Sequence, residues 1–218
     1  MHAEKVKPVI ILGAGGHARV LIECLRTRES VILGITDSKR KEGESFCGVD
    51  VLGGDEIILE HPIETIYLVN GIGQTQKSTK RLEVSQRMRS FGFRFTTIIH
   101  PAATVAADVQ MAEGVQIMAG AIIQPGTSIG EDSIINTGTL IDHDCTIGTS
   151  CHICPGVTLS GGVRVGDRSM ICSGSTVIPN RSIGENAVIA AGSIVFVDIP
   201  EGKIFIQRRF NTEANKEL

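Results

Sequence analysis

The sequence predicts an α/β unit of Rossmann type followed by a parallel β-helix built on a hexapeptide repeat. Three observations carry this. An aliphatic residue or Met recurs every six positions from Ile99 to Val195 without a slip. Strand-like and helix-like segments alternate before it. A glycine-rich turn, Gly13-Ala14-Gly15-Gly16-His17-Ala18, joins the first strand to the first helix.

Composition agrees with a fold made of short aliphatic strands and tight turns. Aromatic residues are 4% of the 218, with no Trp and one Tyr, while glycine reaches 25. That balance disfavours a conventional sandwich. Net charge is −3 with 21% charged residues, which gives no sign of a nucleic-acid partner or a membrane surface. No apolar run is long enough to span a bilayer, and Met1 to Pro8 lacks an apolar signal core, so the expected compartment is the cytoplasm. The six cysteines (Cys24, Cys47, Cys145, Cys151, Cys154, Cys172) are accordingly expected as thiols.

In the first part, residues 8–12 read as a buried strand and Arg19 to Thr27 as an amphipathic helix. Val31 to Thr36 reads as a second strand, ending at Asp37. Thr65 to Val69 forms a third, and Asn70-Gly71-Ile72-Gly73-Gln74 leads to a helix from about Thr75 to Phe91. The turn fits G-x-G-x-x-A, with Asp37 where a dinucleotide fold places its ribose acid. Free N–H groups at the helix start attract phosphate. A dehydrogenase is disfavoured because a solenoid stands where a second catalytic α/β domain would be.

In the second part, three hexads make one coil of a triangular prism, so each aliphatic residue stacks on the one 18 positions away. The fourth residue after each is usually small or β-branched, as at Ala121, Ser133, Thr139 and Cys145. Glycine often follows the aliphatic residue directly, at Gly130, Gly148, Gly166 and Gly184, and Gly or Asn is expected where corners need unusual backbone angles.

One stretch departs from the bland repeat: Asn136-Thr137-Gly138-Thr139-Leu140-Ile141-Asp142-His143-Asp144-Cys145. His143 follows inward-facing Ile141 by two, so it projects outward near a corner. An imidazole titrates near neutrality, and a neighbouring carboxylate fixes its tautomer and raises its basicity, which suits a general base for acyl transfer to an amine. Cys151-His152-Ile153-Cys154 invites a zinc reading, but the register places Cys145 and Cys151 on different faces and Cys154 upon Cys172, so no metal is expected.

The G-A-G-G-H turn, Ile99-His100-Pro101, I-N-T-G and D-H-D-C-x-I-G together resemble the NeuD-type bacterial sugar acetyltransferases, over roughly residues 8–201. That group comprises left-handed β-helix hexapeptide transferases such as the UDP-4-amino-sugar and GDP-perosamine N-acetyltransferases and sialic acid O-acetyltransferases. The resemblance implies His143 as base, Asp144 as its tuning acid and Asn136 as a polar contact near the reacting group. It implies acetyl-CoA contacts at His152 near the thioester and at Gly161, Ser173 and Ala191 along the pantetheine. Gly15, Gly16 and His17 would hold the diphosphate of a nucleotide-linked amino sugar, Asp37 and Ser38 would lie near its base, and Gly73 would contact substrate. It also implies a homotrimer with active sites between subunits.

The organisation expected is residues 1–97 for the nucleotide sugar, 98–200 for acetyl transfer and 201–218 as a tail. N-acetylation, of a 4-amino-4,6-dideoxy sugar for surface glycan, is the leading expectation. O-acetylation of the sialic acid type and a non-catalytic sugar-nucleotide-binding trimer are the alternatives. Ile72-Gly73-Gln74-Thr75 departs from the family's Ile-Gly-Asp/Asn-Asn. The chain also continues past Asp198-Ile199-Pro200-Glu201 to a basic pair, Arg208-Arg209, read as a CoA phosphate contact or a solvated tail.

Overall fold

The computed structural model describes residues 7–75 and 78–207; Arg208 and Arg209 lie outside them. The first part is a five-stranded sheet of order β3-β4-β2-β1-β5, with β1 (Val9–Leu12), β2 (Ile32–Thr36), β3 (Ser45–Phe46), β4 (Val49–Gly53) and β5 (Tyr67–Asn70). All pairs are parallel except β3 with β4. β1 is buried along its whole length because both faces are covered. Helix α1 (Gly16–Thr27) packs Leu21, Ile22 and Leu25 on one face, and α2 (Lys80–Ser90) sets Val84 and Met88 against Ile10, Leu12 and Leu68 on the other.

The structure adds the β3–β4 hairpin, which the periodicity did not reveal, and starts both helices elsewhere. α1 begins three residues early, inside the glycine turn. α2 begins at Lys80, not near Thr75; ahead of it the Asn70 side chain accepts from the Ile72 N–H at 3.1 Å, and Arg81 bonds the Ile72 carbonyl at 2.8 Å.

From Ile98 the chain winds into three parallel sheets of six, five and seven two-residue strands. Ile117, Ile135, Ile153, Ile171 and Ile189 pair in register, as do Ile123, Ile141, Leu159, Val177 and Val195. These columns form one buried core. The small residues beside them line the interior and also bond. Ser133, Ser169 and Ser175 donate to carbonyls 15 residues on, at 2.7, 2.7 and 2.9 Å. Cys145 and Cys151 do the same with their thiols. Burial raises the Cys151 and Cys154 thiols to about 12, so they serve as packing groups. The segment expected as a tail contributes a strand, Ile204–Phe205, which pairs with Val188–Ile189.

Left-handed backbone recurs once per hexad, at Gly120, Gly126, Asp132, Gly138, Asp144 and onward to Gly192. Gly130, Gly148, Gly166 and Gly184 are not among these positions. Their reason is space: a Cβ on Gly166 would stand 2.6 Å from the Glu185 nitrogen of the next coil, and one on Gly148 2.7 Å from that of Asp167. This corner stacks backbone on backbone. Gly166→Ala must therefore prise two coils apart, at ~1–3 kcal/mol, as for other overpacked cores. The urea midpoint reads the loss, and an unchanged midpoint would contradict the stacking described.

Candidate active site

β1 lies between β2 and β5, so chain connections leave it in opposite directions and open a crevice at the strands' carboxyl ends. Gly15 and Gly16 begin α1 there. A Cβ on either would meet no protein atom within 4 Å, and no side chain caps the helix. Bare N–H groups at the positive end of a helix suit a phosphate. Asp37 sits beside them, but its carboxylate serves the turn: it accepts from the Ala14 N–H at 2.8 Å and from the Lys39 N–H at 2.8 Å. Burial alone would raise its pKa; these bonds, with Lys80 and Arg40 nearby, hold it below the ordinary value. Ser38 is exposed next to it and borders a cleft of about 300 Å³ with Asp55 and Lys80.

His17 turns from the crevice to the solenoid, where its Nε2 lies 2.7 Å from Gln116 Oε1. The Gln116 amide nitrogen donates to the Asn70 carbonyl at 2.9 Å, which leaves its oxygen to accept from His17. The His17 proton is thereby on Nε2. Gly73 packs beside its Cβ. Burial, with the Arg81 guanidinium next in importance, lowers the His17 pKa to about 3.

His152 lies on the same covered face, 9% exposed. Asn136 accepts from the Thr137 N–H at 2.8 Å through its oxygen, so its amide nitrogen donates to His152 Nε2 at 3.1 Å. The His152 proton is then on Nδ1, against the Gln74 backbone but without a well-formed hydrogen bond. Burial, then Arg81, brings its pKa to about 4.

His143 differs in every respect. Its side chain is 62% exposed. Nδ1 lies 2.8 Å from Asp144 Oδ2, and its backbone N–H donates to Asp142 Oδ1 at 2.8 Å. The Asp144 hydrogen bond, and then the Asp142 charge, raise the imidazole pKa above the ordinary value. Nε2 is left as the free lone pair. Asp144 takes φ +58°, which turns its carboxylate back along the chain. Both groups sit over glycines. A Cβ on Gly161 would be 2.7 Å from His143 Cε1 and Nε2, and one on Gly126 would be 2.4 Å from Asp144 Oδ1.

The structure thus brings together His17, Gly73, Asn136 and His152, and separately His143, Asp144 and Gly161. Ser173 and Ala191 are exposed 18 residues apart on the corner that follows the His152 sheet. His143 and Gly161 follow the six-stranded sheet, so one protomer holds its two histidines on different corners.

Sequence reasoning missed Asn70, Arg81 and Gln116. The Arg81 guanidinium, 3% exposed, donates to the carbonyls of Asn70 and Ile72 at 2.8 Å each and to that of Asp132 at 3.2 Å. The Asp132 carboxylate itself pairs with Arg89. A signal existed for Gln116: with His152 it interrupts an outward row, Ile98, Ile134, Met170 and Val188, whose apolar character marks a covered face. Among the described residues no group of three or more His, Cys, Asp or Glu is placed to hold a metal, and no helix is long and apolar enough to cross a membrane.

The neutral, buried histidines make stability depend on pH. Unfolded, each binds a proton near 6.5; folded, His152 resists protonation to about 4 and His17 to about 3. Their contribution is complete above 6.5 and declines as pH falls, with a slope of up to ~1.4 kcal/mol per pH unit for each. Urea midpoints from pH 7 to 4 test this, and His152→Gln should flatten the curve. A midpoint level across that range would refute buried neutral imidazoles.

Residues 8–87 match the family model of the PglD N-terminal domain, and residues 108–143 and 126–161 match bacterial transferase hexapeptide repeats. No curated protein matches the chain by sequence. Among solved structures, a His-to-Asn variant of perosamine N-acetyltransferase from Caulobacter crescentus, in complex with CoA and GDP-perosamine, is 35% identical. Its TM-score is 0.85, over 92% of this chain and 93% of that one. The acetyltransferase domain of PglB from Neisseria gonorrhoeae FA1090, in complex with acetyl coenzyme A, is 28% identical, with a TM-score of 0.85 over 92% and 96%. WeeI from Acinetobacter baumannii AYE shares the fold at 19% identity, with a TM-score of 0.76 over 91% and 95%. With a glycine turn feeding a bare helix start, a left-handed solenoid and relatives of this kind along nearly its whole length, the chain belongs to the NeuD-type bacterial sugar acetyltransferases.

Proposed function

We propose that this protein transfers the acetyl group of acetyl-CoA to the amine of a nucleotide-linked amino sugar, with His143 as general base. The observation that carries the assignment of the base is the His143–Asp144 pair: Nδ1 is committed to a carboxylate at 2.8 Å and Nε2 is free at an exposed corner. His143 Nε2 takes the proton from the nitrogen as it bonds to the thioester carbonyl carbon. The carbon–sulfur bond then breaks, and the imidazolium returns that proton to the departing thiolate. Asp144 keeps the ring in the productive tautomer and stabilises its charged form. Residues 1–97 would bind the nucleotide sugar, its diphosphate at Gly15 and Gly16 and its base near Asp37 and Ser38; residues 98–200 would carry acetyl transfer. A 4-amino-4,6-dideoxy sugar bound for surface glycan is the proposed acceptor.

The same reading makes the protein a homotrimer. Asn136, His152, Ser173 and Ala191 line one side of the solenoid and His143 with Gly161 another, so a site that uses both sets takes them from two copies. The solved perosamine N-acetyltransferase in complex with CoA and GDP-perosamine holds the two classes of ligand this reading requires.

A rate screen with acetyl-CoA and UDP-, GDP- and dTDP-linked amino sugars, reading free thiol, tests the assignment. Thiol should appear only with an amine acceptor, and His143→Ala should lower kcat by ~10²–10⁴-fold. Thiol release with a sialic acid hydroxyl instead would make it an O-acetyltransferase. Nucleotide binding without thiol release from any acceptor would leave a binding trimer.

Two further variants probe the pair. The wild-type rate should rise with pH through a midpoint above 6.5, because the base must be neutral and its pKa is raised. Asp144→Asn removes the largest cause of that rise, so the limb moves to lower pH while the plateau falls. Gly161→Ala pushes the ring off its seat and should lower kcat ~10²-fold, the scale of a misplacement of about an ångström. Wild-type kcat in Gly161→Ala would show that the seat does not position the base.

A further inference from the structure

The cleft of about 300 Å³ that begins at Ser38 is bounded by the residues following β4 and by one face of α2. It lies at the carboxyl ends of β2 and β4, on the crevice side of the sheet. Most of its polar groups are already committed. Asp55 accepts from the Thr36 hydroxyl at 2.7 Å and is paired with Arg87. Glu83 accepts from the Thr79 hydroxyl. Lys80 lies near enough to Asp37 to help lower its pKa.

Glu56 is different. Its side chain is exposed at the cleft and makes no hydrogen bond or ion pair with another described residue. A glycine fixes its place: a Cβ on Gly54 would stand 2.4 Å from each Glu56 carboxylate oxygen, so the acid folds back over a residue without a side chain, as His143 does over Gly161. It caps nothing there, for the 3₁₀ turn Asp55–Glu60 has no side-chain cap bond at its start.

An ionised carboxylate is an acceptor only, and it pairs best with two N–H groups set side by side. Among the common nucleobases guanine alone offers that pair on one edge, N1–H and the 2-amino group. Uracil and thymine present one N–H between two carbonyl oxygens, which would set a carbonyl against the anion. Adenine and cytosine present an amino group beside a bare ring nitrogen, with the same repulsion.

We propose that Glu56 selects a guanine nucleotide, accepting from N1–H and the 2-amino group of the base. The proposal rests on the reading that the base of the nucleotide sugar lies near Asp37 and Ser38. It goes further by naming the base and the residue that reads it. Lys80, a cation at the same cleft, suits the O6 carbonyl of that base.

The test is a calorimetric titration of the full chain with GDP, IDP, UDP and dTDP. GDP should bind the wild type at least ~10-fold more tightly than UDP or dTDP, and IDP, which lacks the 2-amino group, more weakly than GDP. Glu56→Gln should weaken GDP binding ~10–100-fold, the scale of hydrogen bonds to a charged group. It should also strengthen UDP binding, because an amide accepts from N3–H and donates to O4. Glu56→Ala should lose the GDP preference without gaining UDP. Glu56 is exposed, so both variants keep the fold, and their Tm checks this. UDP or dTDP bound as tightly as GDP, or a GDP preference unchanged in both variants, would overturn the role of Glu56 and leave the acetyltransferase reading standing. Failure of every nucleoside diphosphate to bind would overturn the nucleotide site itself, and this proposal with it.

Discussion

Coil stacks on coil at one strand spacing, about 4.8 Å, and everything the solenoid does is constrained by that distance. Any side chain at a corner lies directly over the residue 18 positions on or back. An aliphatic residue over an aliphatic residue makes the core. Where a functional side chain must bend over its neighbour, that neighbour has to lack a Cβ. His143 lies over Gly161, and Asp144 lies over Gly126. The imidazole and its carboxylate are thus seated between glycines of the coil after and the coil before, and the left-handed backbone at Asp144 turns the acid toward its own neighbour. The orientation of the pair is a property of the repeat, with no loop needed to supply it.

The two parts of the chain meet through a polar seam inside an apolar surround. Ile98 and Met118 of the solenoid join the α1 core, while Gln116 bridges His17 and the Asn70 carbonyl. Arg81 anchors the loop after β5 through its carbonyls, and Arg89 ties α2 to Asp132 and Glu113. Burial, and then the guanidinium beside them, explains why both histidines stay neutral: a second cation there would face desolvation and repulsion together. Neutrality leaves each histidine a defined donor and a defined acceptor, so the seam fixes its hydrogen-bond directions as well as its shape.

What the sequence disclosed follows from how local the information was. The aliphatic column was legible because stacking at 18 residues repeats the same demand in every coil, and the exposed His143 followed from its place two residues after Ile141. The glycine turn was equally plain. The glycines after the aliphatic column were visible, yet their reason was not, because conformation and crowding both select glycine and only coordinates separate them. Nothing in the local pattern marked Arg81; its burial depends on the solenoid, whose Asp132 carbonyl it reaches at 3.2 Å. Asp37 stood where expected, but its bond to the Ala14 N–H depends on how closely β1 and β2 approach at their ends.

Two histidines nine residues apart are candidates for the proposed base, and their environments favour His143. His152 is enclosed, its Nε2 lone pair is spent on Asn136, and its pKa lies near 4, so it binds a proton too weakly to draw one from an attacking amine at neutral pH. His143 is open to solvent, its Nδ1 is anchored, its Nε2 is free, and neighbouring carboxylates strengthen its hold on a proton. A base needs a free lone pair and enough proton affinity to matter; a positioning group needs a fixed direction and no charge of its own. The hexad register sends one imidazole to a naked corner and the other beneath the α/β unit, and the same side chain thereby meets two opposite environments.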